Sequence, residues 1–347
     1  MSGIGIPSSY LLKTFREMEG PLIDVRSPKE FLQGHWPGAY NIPLFNDDER
    51  ALIGTTYKQK GREQAIILGL KITEPKLQHL KESLVEQSLK KENAPIRIYC
   101  WRGGLRSSSI GWLANLLGLK PVLLTGGYKA FRSWALNQFD KEWPLRLLGG
   151  KTGTGKTALL LELSKNGVFT IDLEGLANHK GSSFGGIGLD PQPSSEQFEN
   201  NIALSLHNAE QLSSKGIWLE AESASLGKCR IPNNLFKQMR KAPLIEITRT
   251  KKERVSALIN EYSKHKKEEL KDATLRISKR LGPQRTRKAL ESIEKQNWED
   301  ACLAMLEYYD KCYKYELEKF QERETIDLSG LSSISSAKKL MGMNSVY

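Results

Sequence analysis

The chain has 347 residues, is 39% hydrophobic and 27% charged, and carries a formal net charge of +12. That length exceeds what one hydrophobic core usually supports, and the composition is that of a soluble globular protein, which excludes a disordered or fibrous one. No apolar run reaches the roughly 18 to 20 residues of a membrane span, and MSGIGIPSSYLLKTFREMEG lacks the basic start and apolar block of a secretory signal. Cys100, Cys229, Cys302 and Cys312 show no CxxC spacing. This predicts a reducing cytoplasm, where a lone reactive thiol persists.

PLIDVR (21–26) predicts a short buried strand ending at Asp24 and Arg26. Ser27, Pro28 and Glu30 then give a helix start signal, and PGAYNIPL a turn and a further strand. The polar stretch 47–89 predicts helix, within an insert of about 47–92. PIRIYC is a second buried strand that delivers Cys100 at its end, and an apolar-faced helix follows in SSSIGWLANLLGL. PVLLTGGYKAFRSW adds a strand, a Gly-Gly turn and a helix, so residues 1–138 predict an α/β unit with a mainly parallel sheet.

ALNQFDKEW (135–143) reads as a linker. A second α/β domain is expected over 144–250, opening on strand PLRLLGG, with further strands in FTIDLE (169–174), GIWLEAE (216–222) and APLIEIT (242–248). Beyond Lys251 no strand signal remains, so 251–347 predicts a helical, basic C-terminal region. Trp298, Cys302, Met305, Tyr309 and Cys312 recur at spacings of four and three, one face of a helix.

The first reactive loop is Cys100-Trp101-Arg102-Gly103-Gly104-Leu105-Arg106. A cysteine at the carboxyl end of a buried strand, before a tight loop and a helix, meets inward-pointing amides at a helix N-terminus. Those amides stabilise a thiolate, or a persulfide or selenide carried on it. Arg102 and Arg106 add positive charge, and Gly103 and Gly104 permit backbone conformations closed to other residues. An inert buried thiol would not need that company. Cys302 and Cys312 instead fit a helix core face, and Cys229 falls in an exposed-looking basic loop.

The second loop, Gly150-Lys151-Thr152-Gly153-Thr154-Gly155-Lys156-Thr157, fits the phosphate-binding pattern, with an apolar strand before it and a helix after. Its amides would cradle phosphate oxygens around Gly150, Gly153 and Gly155, Lys156 would neutralise them, and Thr157 is placed to reach a bound Mg2+. Asp172 and Glu174 at one strand end, and Glu220 and Glu222 at another, are candidates for proton transfer or metal binding. Any one of the four could equally be surface charge at a loop start. DLEGLANHKGSSFGG gathers His179, Lys180, Ser182 and Ser183 with glycines, donors suited to phosphate or ribose.

Residues 228–288 hold nineteen Lys/Arg against six Asp/Glu, which leaves the rest of the chain near neutral. A concentrated excess of this kind is a footprint for nucleic acid, with Lys279, Arg280, Arg285 and Arg287 as candidate contacts. A solvated helical face is the alternative.

IDVRSPKEFLQGHWPGAYNIPL, IYCWRGGLRSS and LTGGYKAFR together resemble a rhodanese domain, which implies that Cys100 accepts sulfur or selenium and passes it on. With the insert NDDERALIGTTYKQKGREQAIILG, the loop GGKTGTGKT, DLEGLANHKGSSFG, SKRLGPQR and LEYYDKCYKYELEK, nearly the whole chain resembles the bacterial tRNA 2-selenouridine synthases. It departs from that pattern at 220–224, where Glu-Ala-Glu-Ser-Ala replaces Glu-Asp-Glu-Ser-Arg, so weight shifts onto Glu220 and Glu222; 261–279 is also shortened. The resemblance implies a tRNA substrate whose wobble 2-thiouridine is geranylated from geranyl diphosphate and then given selenium from selenophosphate. It also implies no tightly bound cofactor and a transient selenophosphate-supplying enzyme. An ATP-using P-loop enzyme fused to a sulfurtransferase, and a tRNA-binding module with a redox-sensing cysteine, stay open beside it.

Overall fold

The computed structural model describes residues 7–91, 93–210 and 216–343. The chain is α/β and divides into two units, Met1–Asn137 and Gln138–Tyr347.

In the first unit the chain runs β1 (Ser8–Tyr10), α1 (Leu12–Glu17), β2 (Leu22–Asp24), α2 (Pro28–Gln33), β3 (Tyr40–Asn41), α3 (Asp47–Thr73), α4 (Leu77–Leu89), β4 (Ile96–Tyr99), α5 (Leu105–Leu116), β5 (Pro121–Leu124) and α6 (Gly127–Gln138). The five strands pair in parallel in the order β1-β5-β4-β2-β3. LID, IRIY and PVLL are mostly apolar and almost wholly buried, as strands of a sheet covered by helices on both faces are. Ser27 opens α2 with a reciprocal cap to Glu30, and Asn46 opens α3 in the same way with Glu49. The expected helical insert is α3, bent at Gly61, followed by α4, whose Leu80 and Leu84 join Ile23, Ile96 and Ile98 in the core.

The linker expected at 135–143 is shorter than that. Helix α6 continues to Gln138 because Phe131, Ala135 and Gln138 stay buried at helical spacing.

The second unit runs β6 (Leu145–Gly149), α7 (Lys156–Lys165), β7 (Thr170–Ile171), α8 (Leu173–Ala177), α9 (Ser195–Glu210), β8 (Ile217–Glu220), β9 (Ser225–Leu226), β10 (Cys229–Arg230), α10 (Asn233–Met239) and β11 (Leu244–Thr248). Helices α11 (Lys251–Tyr262), α12 (Lys267–Arg276), α13 (Ser278–Leu281), α14 (Pro283–Glu294) and α15 (Trp298–Leu317) follow, then β12 (Arg323–Asp327) and α16 (Ser333–Met343). A parallel sheet in the order β12-β11-β6-β8-β7 forms its centre.

Two expectations are corrected here. FTIDLE is a strand only at Thr170–Ile171, because the Asp172 carboxylate accepts from Gly175 N at 2.8 Å and turns the chain into α8. The region after 251 is not wholly helical either: β12 returns to the sheet edge beside β11, and α16 joins the same core through Ala337 and Leu340. The helices α11–α15 are thus an excursion between two neighbouring strands.

Candidate functional site

In the first unit, Cys100 follows β4 directly and is only 3% exposed. Its Sγ accepts from Gly104 N at 3.3 Å and lies 3.2 Å from Ser107 Oγ, at the start of α5. The far side of the loop is closed by the Gly-Gly turn. Tyr128 N donates to Cys100 O at 2.8 Å and Lys129 N to Trp101 O at 3.0 Å. Gly127 makes this possible: its φ is 58°, and a β-carbon there would fall 2.3 Å from Cys100 O. Trp101, Arg102 and Gly104 face solvent, so the sulfur sits just inside an open rim.

Arg106 does not supply the free charge expected of it. Its guanidinium is held by Glu30 at 2.5 and 3.2 Å. Burial works against the Glu30 carboxylate, but the pairing with Arg106 outweighs it and holds Glu30 below its ordinary value. Arg106 therefore fixes α5 to α2. Behind the loop, Arg26 is fully buried, paired to Asp24 at 2.6 Å, with its guanidinium 3.8 Å from the Tyr128 ring centre. Backbone and hydroxyl donors around a shielded sulfur suit an anionic sulfur or selenium atom. Sequence reasoning passed over Ser107, which it could have found one turn into the helix.

In the second unit, residues 150–157 span the gap from β6 to α7, with Gly155 left-handed at the helix start. Two arginines from beyond β11 hold the loop: Arg249 Nε donates to Thr154 O at 3.0 Å, and Arg254 Nε to Thr152 O at 2.8 Å. Gly153 lies so close to Arg254 that a β-carbon would meet its carbonyl at 2.8 Å. Lys156 Nζ donates to Gly150 O at 3.2 Å and stands 5.1 Å from the Tyr313 ring centre. Burial opposes its charge, yet Tyr313, Glu220, Glu222 and Glu174 together raise its pKa above that of an ordinary lysine.

Glu174, Glu220 and Glu222 offer oxygens that all lie within 4.8 Å of one another. Thr157 Oγ1 donates to Glu174 Oε2 at 3.2 Å. Both Glu220 carboxylate oxygens and Glu222 Oε1 are buried with no hydrogen-bond partner. Burial raises the pKa of all three, and their mutual repulsion adds to the rise in Glu174 and Glu222. Bare, crowded carboxylate oxygens beside a phosphate loop fit a hard divalent cation such as Mg2+. Asp172 is not in this group, since its carboxylate caps α8. Glu174 reaches it from the first turn of α8 and Glu222 from just past β8, rather than from strand ends.

The His179 loop is mostly structural. Ser183 Oγ donates to Ala273 O, Ser182 Oγ accepts from Phe184 N, and Lys180 pairs with Glu261. His179 Nδ1 is buried without a partner, and burial, with Arg276 nearby, lowers its pKa. The loop nevertheless covers the acids: a β-carbon on Gly181 would lie 2.7 Å from Glu222 Oε2.

The basic block is partly neutralised from outside itself. Arg254 pairs with Asp310, Lys271 with Glu294, Lys288 with Asp300 and Arg285 with Glu307. Lys279, Arg280 and Arg287 remain exposed on α13 and α14, where Lys279 and Arg287 flank an open recess. Cys229 is buried on β10 under Gln192, not in an exposed loop, and Cys312 is exposed rather than on the core face of α15. Among the described residues, no helix is long and apolar enough to cross a membrane.

A family model described as a rhodanese-like domain matches residues 9–133, and one described as the tRNA 2-selenouridine synthase AAA domain matches 143–332. The tRNA 2-selenouridine synthase of Shewanella frigidimarina is 35% identical over 92% of this chain and 94% of its own length. That of Hydrogenovibrio crunogenus is 35% identical over 89% and 92%, and that of Nitrosomonas europaea 40% identical over 70% and 63%. With both halves matched in order and both loops intact, the chain belongs to the tRNA 2-selenouridine synthase family.

Proposed function

We propose that this chain makes 2-selenouridine at the wobble position of tRNA in two steps. The sulfur of 2-thiouridine is first geranylated from geranyl diphosphate, and selenium from selenophosphate then replaces it. The relatives' names supply the product, and the observation that carries the first step is the set of groups at the phosphate loop. Lys156, Thr157 and three carboxylates, two of them with bare oxygens, converge on one cradle. That set suits a departing diphosphate. A divalent cation held by Glu174, Glu220 and Glu222 would offset the diphosphate's charge. Lys156 stabilises the charge that develops as the bond to carbon 1 of the geranyl group breaks. A carbon–sulfur bond forms there, and the thiouridine ring gives up its N3 proton.

Alkylation prepares the second step, because a thioether leaves carbon 2 more readily than a thio-oxo group does. The loop around Cys100, with Gly104 N and Ser107 Oγ beside its sulfur, holds the selenophosphate selenium as it attacks that carbon; geranylthiol departs, and water then cleaves the selenium–phosphorus bond to release phosphate. Selenophosphate reaches the chain already activated, so ATP has no evident bond to energise. The exposed cations of α13 and α14 grip tRNA phosphates.

The test is to combine purified protein, Mg2+, geranyl diphosphate and thiolated tRNA without any nucleotide. Geranylated tRNA is the expected product. Geranylation that strictly requires ATP hydrolysis would overturn this reading in favour of an ATP-using phosphate site.

A further inference from the structure

Beside the phosphate loop, the helical excursion lines an apolar cavity of about 60 Å³ that opens through a mouth. Helices α11, α12, α14 and α15 wall it, and Thr152 of the phosphate loop and Ser182 of the His179 loop stand in its lining. Almost everything else is hydrocarbon or aromatic, with Phe184, Leu258, Leu270, Ile293 and Met305 prominent. A bare polar atom on its wall marks it as more than a packing gap. Thr152 Oγ1 is buried without a hydrogen-bond partner, a polar atom of the phosphate cradle left bare at an apolar chamber. Burial in this lining pushes the Cys302 thiol up to about 11.

The cavity also has a direction. Tyr313 lies against Lys156, and Tyr309, Met305, Cys302 and Trp298 follow along α15 away from it. Each helical turn advances about 5.4 Å, roughly the reach of one extended isoprene unit. The path from Tyr309 to Cys302 covers two turns, or about 11 Å.

We propose that this cavity receives the hydrocarbon tail of the diphosphate co-substrate and that α15 sets the chain length accepted. The inference rests on the prenyl-transfer reading and adds where the tail lies and what measures it. A ligand with an anionic head and a branched apolar tail satisfies both ends of the chamber. A nucleoside would set the polar edges of its ribose and base against a lining that is mostly hydrocarbon and aromatic ring, with a few hydroxyls at Thr152, Ser182, Ser263 and Tyr309.

The experiment compares transfer of dimethylallyl, geranyl and farnesyl groups from their diphosphates to thiolated tRNA. The full-length chain is used, together with Cys302→Trp and Met305→Ala. Filling the chamber at Cys302→Trp is expected to lower geranyl relative to dimethylallyl transfer at least tenfold. Enlarging it at Met305→Ala is expected to raise farnesyl relative to geranyl transfer by a similar factor, a gain that a folding defect does not produce. Chain-length ratios that stay at the parent values in both variants would overturn the proposal while leaving prenyl transfer intact. Failure of the parent chain to transfer any of the three groups would sink the prenyl reading itself, and the tail cavity with it.

Discussion

Arg254 donates from α11 to the carbonyl of Thr152 at 2.8 Å while its other nitrogens hold Asp310 on α15, so one guanidinium joins the phosphate loop to two helices. The side chain is only 4% exposed. Arg254→Ala leaves the Thr152 carbonyl and the half-buried Asp310 without their partner. It should destabilise the second unit by about 2–3 kcal/mol, read by chemical denaturation. Arg254→Lys keeps the charge but not the planar fork, and should recover less than half of that loss. Parental stability in the alanine variant would show that the loop is held by other contacts.

Cys100→Ser should abolish selenation, by about 100-fold or more, and leave geranylated tRNA to accumulate. The serine oxygen keeps the hydrogen bonds to Gly104 N and Ser107, so the fold is preserved. Mass analysis of wobble nucleosides reads the result. Continued formation of 2-selenouridine would remove Cys100 from the chemistry.

Lys156→Ala should slow geranylation by about 100- to 1,000-fold, the scale expected when a group that stabilises developing charge is removed. Selenation fails as a consequence, so supplying geranylated tRNA should partly restore it. A variant equally inactive with both tRNAs would mean that Lys156 serves more than the first step.

The carboxylate cluster makes a pH prediction. Burial raises Glu220 above its ordinary 4.5. Burial, with Glu220 and Glu222, raises Glu174 to about 9. The native chain therefore keeps protons that the unfolded chain has already released, so these groups weaken metal-free stability as pH climbs between the unfolded and native values. Glu220→Gln removes one of them. Its melting temperature relative to the parent should rise between about pH 5 and about pH 8, and Mg2+ should stabilise the parent more than the variant. A difference that stays flat across that range would mean the cluster is not protonated in the native state.

Reversing Lys279, Arg280, Arg285 and Arg287 to glutamate should weaken tRNA binding and flatten its dependence on salt, by about one slope unit for each phosphate that is no longer neutralised. Arg285, already paired with Glu307, should contribute least when reversed alone. Unchanged binding at low salt would assign these side chains to a solvated face.

The strands that carry chemistry were legible because each is a short apolar run ending in a reactive or glycine-rich segment, and both loops lie where those runs end. What escaped depends on partners distant in sequence. Arg106 looks like free charge until Glu30 arrives across 76 residues, and Cys229 looks exposed until Gln192 covers it. FTIDLE looks like a full strand, but the local cap at Asp172 wins over its apolar alternation. Strand β12 was invisible because an edge strand needs little burial, and in RETID only Ile326 turns inward. Arg249 and Arg254 carried no motif signal at all, since their function is to accept no ligand but to hold the loop that does.

The return of β12 bears on how the protein is made. Arg249 reaches Thr154 O, Leu328 O and Leu331 O together, so the phosphate loop is fastened to backbone just beyond the last strand. A ribosome releases the loop and β11 long before it releases β12, and everything in α11–α15 must be translated in between. The growing chain can fold its rhodanese half while its phosphate half still lacks an edge strand and this clasp. A fastened phosphate loop thus waits until the residues just beyond β12 have been translated, and a chain stopped before them carries the cysteine loop without it.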